Sequence, residues 1–255
     1  MLDFLKEKKP ADLDAPETSL AHRDLILAKP FLRKLYLEWY GAFLRELPAL
    51  PRGLVVEIGS GGGFLKDLEP SILTSDVIEL PNVDRVFSAL RMPFGQGEVS
   101  ALFLLDVLHH LPDAEAFLAE VQRVLKPGGL LHMMEPANTW FSRLVFGKLH
   151  HEPFAPERQD WAFPSAGPLS DANIALPWMV FERDLERFHR LFPGLRLERL
   201  RKHTPFRYLL SGGLSYKAMA PGWAFGAATF AENLLRPAFG KIALFQDIQV
   251  RRLPL

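Results

Sequence analysis

The sequence predicts an α/β protein built on a doubly wound, mostly parallel sheet, and three observations carry that expectation. A short apolar run, Leu54, Val55, Val56 and Ile58, empties into glycines at 59, 61, 62 and 63. Apolar runs at 101–105 and 130–135 flank a stretch of helical periodicity. That stretch opens on Asp113 and closes on Pro127. Strands buried on both faces and separated by helices are how a parallel sheet reads in sequence. A strand that ends in a glycine turn before a helix is where an open α/β sheet receives a nucleotide-like ligand.

Taken in chain order, residues 19–47 place Leu25, Phe31, Leu32, Leu35, Trp39, Phe43 and Leu47 at helical spacing, broken by Pro30. This predicts a helical pair packed on the sheet or over the ligand. The glycines that follow do not fit a dinucleotide fingerprint, Gly-x-Gly-x-x-Gly: counted from Gly59 the third position is Phe64, and counted from Gly61 it is Lys66. What stands there is Glu57-x-Gly59-x-Gly61-x-Gly63. A carboxylate beside such a turn suits an ammonium, and backbone N–H groups at the turn suit a carboxylate.

Residues 71–76 form a second short strand ending in Asp76. Only six residues separate Asp76 from Val83. They reach at most ~20 Å when extended, whereas a parallel crossover normally takes a dozen or more. A loop is therefore expected in place of a helix, with strand three at the sheet edge. Asp106 follows the apolar run 102–105, at the sheet edge where ligands bind; it is a candidate for meeting an ammonium or for capping a helix. Asp113 is expected to cap a helix to about Lys126, with Phe117, Leu118, Val121, Val124 and Leu125 on one face and Arg123 and Lys126 in the last turn. Pro127 should stop it, and Gly128-Gly129 should reverse the chain into a strand over 130–135.

Residues 136–180 are longer than an ordinary connection and carry Trp140, His150, His151, Glu152, Arg158, Asp160, Trp161 and Trp178. Long ordered insertions tend to be functional, and aromatic groups with a few polar ones suit a small-molecule pocket. Residues 195–201 and 243–251 read as the last two strands. Between them, 204–236 is apolar and aromatic but broken by Gly212-Gly213 and Pro221-Gly222, as in a cap, an interfacial patch or core.

Several of these segments together resemble the class I S-adenosylmethionine (SAM) methyltransferases of the small-molecule type. The resemblance rests on Glu57 to Gly63, Asp76, Ser88-Ala89-x-x-Met92-Pro93-Phe94, Val107 to Asp113, and Val124 to Gly129. It covers residues 50–136. It implies a seven-stranded Rossmann-like methyltransferase fold with N-terminal helices and an insertion after strand five. The whole chain, 1–255, is then one methyltransferase domain: a helical extension over 1–50, a SAM-binding core over 51–136, a substrate-side insertion over 137–180, and C-terminal strands with a helical cap over 181–255. It also implies SAM as cofactor, held by Glu57, Gly59, Ser60, Gly61, Gly63, Asp76, Ser88, Ala89 and Asp106, with Asp76 on the ribose hydroxyls. The chain departs from the family at Ser88, where an acid usually accepts from the adenine amino group; serine accepts without charge assistance.

Methyl transfer is an in-line displacement in which alignment does much of the work, and a base is needed only where the acceptor must lose a proton. His110, His109 and His151 are the candidates for that base, with His110 and His151 foremost. Trp140, His151 and Trp161 are the candidates for lining the acceptor side. No metal is expected, since adjacent residues such as His150, His151 and Glu152 rarely point at one centre and no His-x-x-x-His pair is present. Thirty cationic and thirty acidic side chains give zero net charge, and no basic run stands out, which argues against a nucleic-acid partner. Without cysteine there is no disulfide, thiolate metal site or cysteine nucleophile. No apolar run approaches ~20 residues, so no membrane span is expected; peripheral membrane contact stays open. The expectation is a cytoplasmic enzyme methylating a small-molecule or lipid-like acceptor. The alternatives are a non-catalytic methyltransferase-like binding module and a dinucleotide oxidoreductase.

Overall fold

Seven strands build one sheet: β1 (Leu54–Ile58), β2 (Leu73–Asp76), β3 (Arg85–Val86), β4 (Val99–Leu105), β5 (Leu125–Pro136), β6 (Leu195–His203) and β7 (Phe245–Arg252). Their order is β3-β2-β1-β4-β5-β7-β6. These come from a computed structural model, which describes residues 7, 12–149, 152–165, 167 and 171–254. β1 to β5 pair in parallel, and β7 runs antiparallel to both β5 and β6. The order reverses between β1 and β4, and the C-terminal ends of those two strands bound a crevice there.

Both faces of the central sheet are covered, which is why β1, β4 and the end of β5 are apolar with little alternation. Leu102 and Leu104 face one side and pack with Phe117, Leu118, Val121 and Val124 of α4 (Ala114–Val124). Ala101 and Phe103 face the other and pack with Leu32, Leu35, Tyr36, Trp39 and Phe43 of α2 (Pro30–Leu44). Successive strand residues point to opposite faces, so one run serves two cores. Phe43 lies flat on Phe103, with ring centroids 5.0 Å apart.

Pro30 separates the N-terminal helices as the sequence suggests: α1 (Pro16–Ala28) ends before it, and it opens α2. The first turn of a helix has no partner for its N–H groups, so proline costs nothing there. The helix after the glycine turn is a single turn, α3 (Leu65–Leu68). No helix forms between β2 and β3, and β3 sits at the sheet edge, as the short spacing requires.

One boundary differs from expectation. Asp113 does cap α4, its Oδ1 accepting from Ala116 N at 2.9 Å, but the helix stops at Val124. Leu125 already pairs with Val99, and the register shift between Val99 and Ala101 absorbs the glycine-containing turn, where Gly128 has φ +81°. Lys126 is therefore outside the helix, and its ammonium donates to the Arg52 carbonyl. Tertiary pairing has overridden the local helical pattern.

Between β5 and β6 lie α5 (Trp140–Leu149) and α6 (Leu176–Trp178), both in the insertion, and α7 (Leu185–Leu191) just beyond it. Between β6 and β7 lie α8 (Arg207–Ser211), α9 (Phe225–Leu234) and α10 (Phe239–Ile242). Among the described residues no helix is long and apolar enough to cross a membrane.

Candidate functional site

The glycine turn after β1 is built by its neighbours. Gly59 and Gly61 take φ of +67° and +41°, a region L residues disfavour. Ser60 N donates to the Ser75 carbonyl (2.8 Å), and Ser75 Oγ donates to the Glu57 carbonyl (2.8 Å). Asp76, at the end of β2, accepts from Gly61 N at 2.8 Å and from Ile78 N at 3.1 Å. Asn82 donates to the Gly61 carbonyl at 3.0 Å. The turn is thus tied to β2 and to the loop that replaces the second crossover helix. α1 closes on its other side: a Cβ on Gly62 would stand 2.7 Å from Arg23 N and 2.8 Å from the Ser19 carbonyl. α2 forms core while α1 abuts the turn, so the two roles expected of the helical pair fall to different helices.

Glu57 is 2 % exposed, and its Oε2 has no hydrogen-bond partner. Burial pushes its pKa up to about 8, against a lowering hydrogen bond from Ser60. An orphaned buried carboxylate oxygen beside the turn is what the ammonium of a ligand fits. Burial raises Asp76 as well, and its hydrogen bonds from Ile78, Gly61 and Val77 oppose the shift.

Two cavities meet at this turn. One runs from Gly59 and Gly61 past Asp76, Ile78, Phe87, Ser88 and Ala89. The other runs toward Ser19, His22, Tyr36, Tyr40, Glu152 and Tyr208. Ser19, Gly59, Gly61, Asp106 and His110 border both. Ser88 is exposed, and its Oγ accepts from Leu90 N at 3.2 Å, so it shapes the loop at the first cavity. Asp106 has φ +63°, and burial pushes its carboxyl up to about 7. It does not cap a helix: Glu135, from the end of β5, accepts from Val107 N (2.9 Å) and Leu108 N (2.7 Å) instead.

Glu135 also organises the histidines. Its Oε2 lies 2.9 Å from His109 Nδ1, and Glu152 Oε2 lies 3.4 Å from His109 Nε2. With a carboxylate at each nitrogen, His109 is an imidazolium. Burial opposes that charge, but the bonds to Glu135 and Glu152 and the field of Asp106 outweigh it and hold the pKa well above the ordinary value. His110 is the opposite case. Its Nδ1 lies 3.1 Å from the Asp171 carbonyl, which only accepts, so Nδ1 carries the proton. Burial and the neighbouring His109 charge push its pKa down to about 4. It is neutral, with its Nε2 lone pair 3.7 Å from Glu152 Oε1 at the junction of the cavities.

Among the described residues, two triplets have ligand atoms within 4.8 Å of one another: His109, His110 and Glu152, and Asp106, His109 and Glu135. These are the residues that could hold a metal. Both include His109, whose two ring nitrogens face the Glu135 and Glu152 carboxylates.

The structure therefore brings together Glu57, Gly59, Ser60, Gly61, Gly63, Asp76, Ser88, Ala89, Asp106 and His110 around one crevice. It does not bring Trp140 or Trp161 there. Trp140 is 68 % exposed and borders neither cavity. Trp161 is 1 % exposed, donates from Nε1 to Asp184 Oδ2 at 2.8 Å and lies under the Arg187 guanidinium, 4.6 Å from its ring centre. Both are indole placements that composition cannot tell from a pocket wall. His151 lies outside the described residues. Glu135, Tyr36, Tyr40 and Tyr208 are the residues that sequence reasoning missed. For Glu135 a signal existed: an acid ending an otherwise apolar strand at the ligand edge.

Residues 66–133 match a family model described as a methyltransferase domain. No curated protein matches the chain. Among solved structures, it is similar to geranyl diphosphate C-methyltransferase from Streptomyces coelicolor A3(2), whose structure holds Mg2+, geranyl diphosphate and S-adenosyl-L-homocysteine (17% identity, 98% of this chain and 90% of that one, TM-score 0.48). It is also similar to a sarcosine dimethylglycine methyltransferase homologue from Galdieria sulphuraria (14%, 87% and 86%, TM-score 0.49). A third is an S-adenosylmethionine-dependent methyltransferase from Mesorhizobium loti (17%, 81% and 97%, TM-score 0.45). The motif order, the strand order with β7 reversed, and the matched family model agree: the chain resembles the class I SAM methyltransferases, and SAM is the cofactor of that fold.

Proposed function

We propose that this chain transfers the methyl group of SAM to a small-molecule or lipid-like acceptor. The observation that carries the proposal is the unpartnered Glu57 Oε2 beside the glycine turn, with Asp76 bonded to the same turn, at the junction of two cavities. SAM, when bound, supplies a methyl group on a cationic sulfonium. Glu57 and Asp76 then hold its polar ends in the first cavity and at the turn. Glu135 and Glu152 around a single imidazolium, with Asp106 partly ionised near neutral pH, leave an excess of negative charge at the junction, which favours a cationic donor over its neutral thioether product. Tyr36, Tyr40 and Tyr208 offer the acceptor an aromatic wall. His110 accepts a hydrogen bond from the acceptor through Nε2 and orients it; a pKa of about 4 suits orienting better than full proton removal at neutral pH.

Calorimetry should show SAM and S-adenosylhomocysteine binding, without comparable binding of NAD or NADP. Asp76→Ala should weaken SAM binding by roughly 1–3 kcal/mol. Asp76→Asn, which keeps an acceptor for Gly61 N, should retain part of it. Binding of NAD alone, or an unchanged SAM affinity in both variants, would remove the site from this turn. Methyl transfer is then followed with labelled SAM against hydroxyl, carboxyl and amine acceptors. The open adenine side, with Ser88 exposed, favours a second reading, a binding module without turnover. SAM binding with no transfer to any acceptor class would support it.

A second test reads protons. Free Glu57 titrates at about 8, and an ammonium stabilises its ionised form. Below that pH the free site holds a proton that binding must expel, so affinity should fall as pH drops below about 8. Calorimetry at pH 7 in buffers of different ionisation enthalpy should report proton release, which Glu57→Gln lowers, leaving the smaller part due to Asp106. Equal release in the variant would place the titrating group elsewhere.

A further inference from the structure

Helix α9 is mounted with its apolar side outward. Its inner face is anchored: Phe225 meets Phe31 edge-on at 5.1 Å, Arg207 donates to Thr229 Oγ1 at 3.1 Å, and Glu232, 4 % exposed, accepts from Phe206 N, Arg207 N and the Arg207 guanidinium. The preceding turn is pinned to α2 through Lys34, which donates to the Gly222 carbonyl at 2.8 Å. The opposite stripe is Trp223, Gly226, Ala227, Phe230, Ala231 and Leu234, and every one of them is exposed. The spacing i, i+3, i+4, i+7, i+8, i+11 is one face of a helix. Trp223 is 84 % exposed, and Phe230 and Leu234 are each 67 % exposed. Amphipathic helices of soluble proteins turn this face to the core; here the polar residues Thr229 and Glu232 face inward instead.

We propose that this face seats the chain on an anionic membrane surface, with Trp223, Phe230 and Leu234 entering the headgroup–acyl boundary. The charge around the face selects that partner. Between residues 213 and 242 the cations are Lys217, Arg236 and Lys241, all exposed. The acidic side chain in that span is Glu232, buried against Arg207. An apolar helical face with tryptophan at one end, flanked in the chain by three exposed cations and with the neighbouring exposed carboxylate, Glu38, already paired to Arg207, is the pattern of an interfacial helix on anionic lipid. A second copy of the chain suits it less. A two-fold contact places the same patch on both sides, which brings a second set of these cations to the face, while the nearby Glu38 carboxylate is already engaged by Arg207. The segment bearing the patch also supplies Leu214 and Ser215 to the acceptor-side cavity, and Lys29 ties that segment to the α1–α2 corner through the Gly213 and Tyr216 carbonyls (2.9 and 2.6 Å). The docked face and the cavity are thus joined through one ordered strap. The inference does not depend on methyl transfer.

The test is flotation of the full chain, without SAM, on vesicles of phosphatidylcholine alone and with a third of phosphatidylglycerol. The chain should float with the anionic vesicles, much less with neutral ones, and less as salt rises. Trp223→Ser/Phe230→Ser/Leu234→Ser should lower the bound-to-free ratio at least tenfold, as should Lys217→Gln/Arg236→Gln/Lys241→Gln. Both variants alter exposed side chains, and an unchanged melting temperature and SAM affinity certify that they are folded. Equal flotation of the serine variant, or no flotation of the parent on either vesicle, overturns the proposal. A dimer that the serine substitutions dissociate, in a chain that does not float, shows instead that the face is a self-interface. Failure of SAM binding with flotation intact refutes the methyltransferase proposal and leaves this one standing.

Discussion

His109→Ala should lower the stability of the fold by about 3–5 kcal/mol, the usual consequence of stripping one partner from a buried ion pair. The imidazolium is 2 % exposed, between Glu135, which is fully buried, and Glu152. Its removal leaves the Glu135 charge with only the amides of Val107 and Leu108. Urea unfolding at pH 6 reads the loss as a lowered midpoint at constant slope. The pH dependence follows from the sign of the shift. The folded-state pKa of His109 lies well above its ordinary value. Its contribution is therefore full below about pH 6.5, the unfolded value, and is lost as pH rises through the folded pKa. The gap between parent and variant should narrow in alkaline solution. A gap that is constant from pH 6 to 10, or absent, would mean that the buried cluster is uncharged.

Gly59→Ala should cost about 2–5 kcal/mol and most of the SAM affinity. Two effects add. Gly59 has φ +67°, a conformation costing an L residue roughly 1–2 kcal/mol. Its new methyl would also stand 2.7 and 2.8 Å from the Val107 Cγ atoms, and overpacking of that kind costs about 1–3 kcal/mol. Gly97 is the internal control. It has φ +64° with nothing within 4 Å of an added Cβ, so Gly97→Ala should cost the conformational part alone and leave SAM binding unchanged. Val107→Ala in the Gly59→Ala background should recover the steric part. Equal stability loss at both glycines with no rescue would show that the turn yields and that Val107 does not wall it.

The centre of the sheet was legible because β1, β4 and the end of β5 are local apolar runs that burial on both faces leaves nearly uninterrupted. The glycine turn was legible for a related reason: Glu57, Gly59, Gly61 and Gly63 lie within seven residues of one another, and the backbone demands of the turn fall on those residues themselves. The loop between β2 and β3 followed from chain reach alone. The end of α4 did not, because Leu125 belongs to helix or strand according to whether Val99 is beside it, and Val99 is far away in sequence.

The sequence by itself determined the α/β class, the edge position of the third strand, the glycine turn and Asp76 beside it. These depend on periodicity, turn chemistry and short-range spacing, which a linear pattern records. Only the tertiary structure decided the rest of the site. Glu135 reaches His109 across 26 residues, and Glu152 reaches it from the insertion. It is their meeting that makes one histidine a cation and its neighbour neutral. Trp161 and Tyr36 are both large aromatic side chains suited to a pocket. The fold put the first under Arg187 in the core and the second on the cavity wall. The outward stripe of α9 has helical periodicity that would mark a core face in sequence, and it became a surface because Phe225 and Glu232 anchored the other side. Which face of an element is buried is set by what packs against it, and packing partners are chosen across the whole chain.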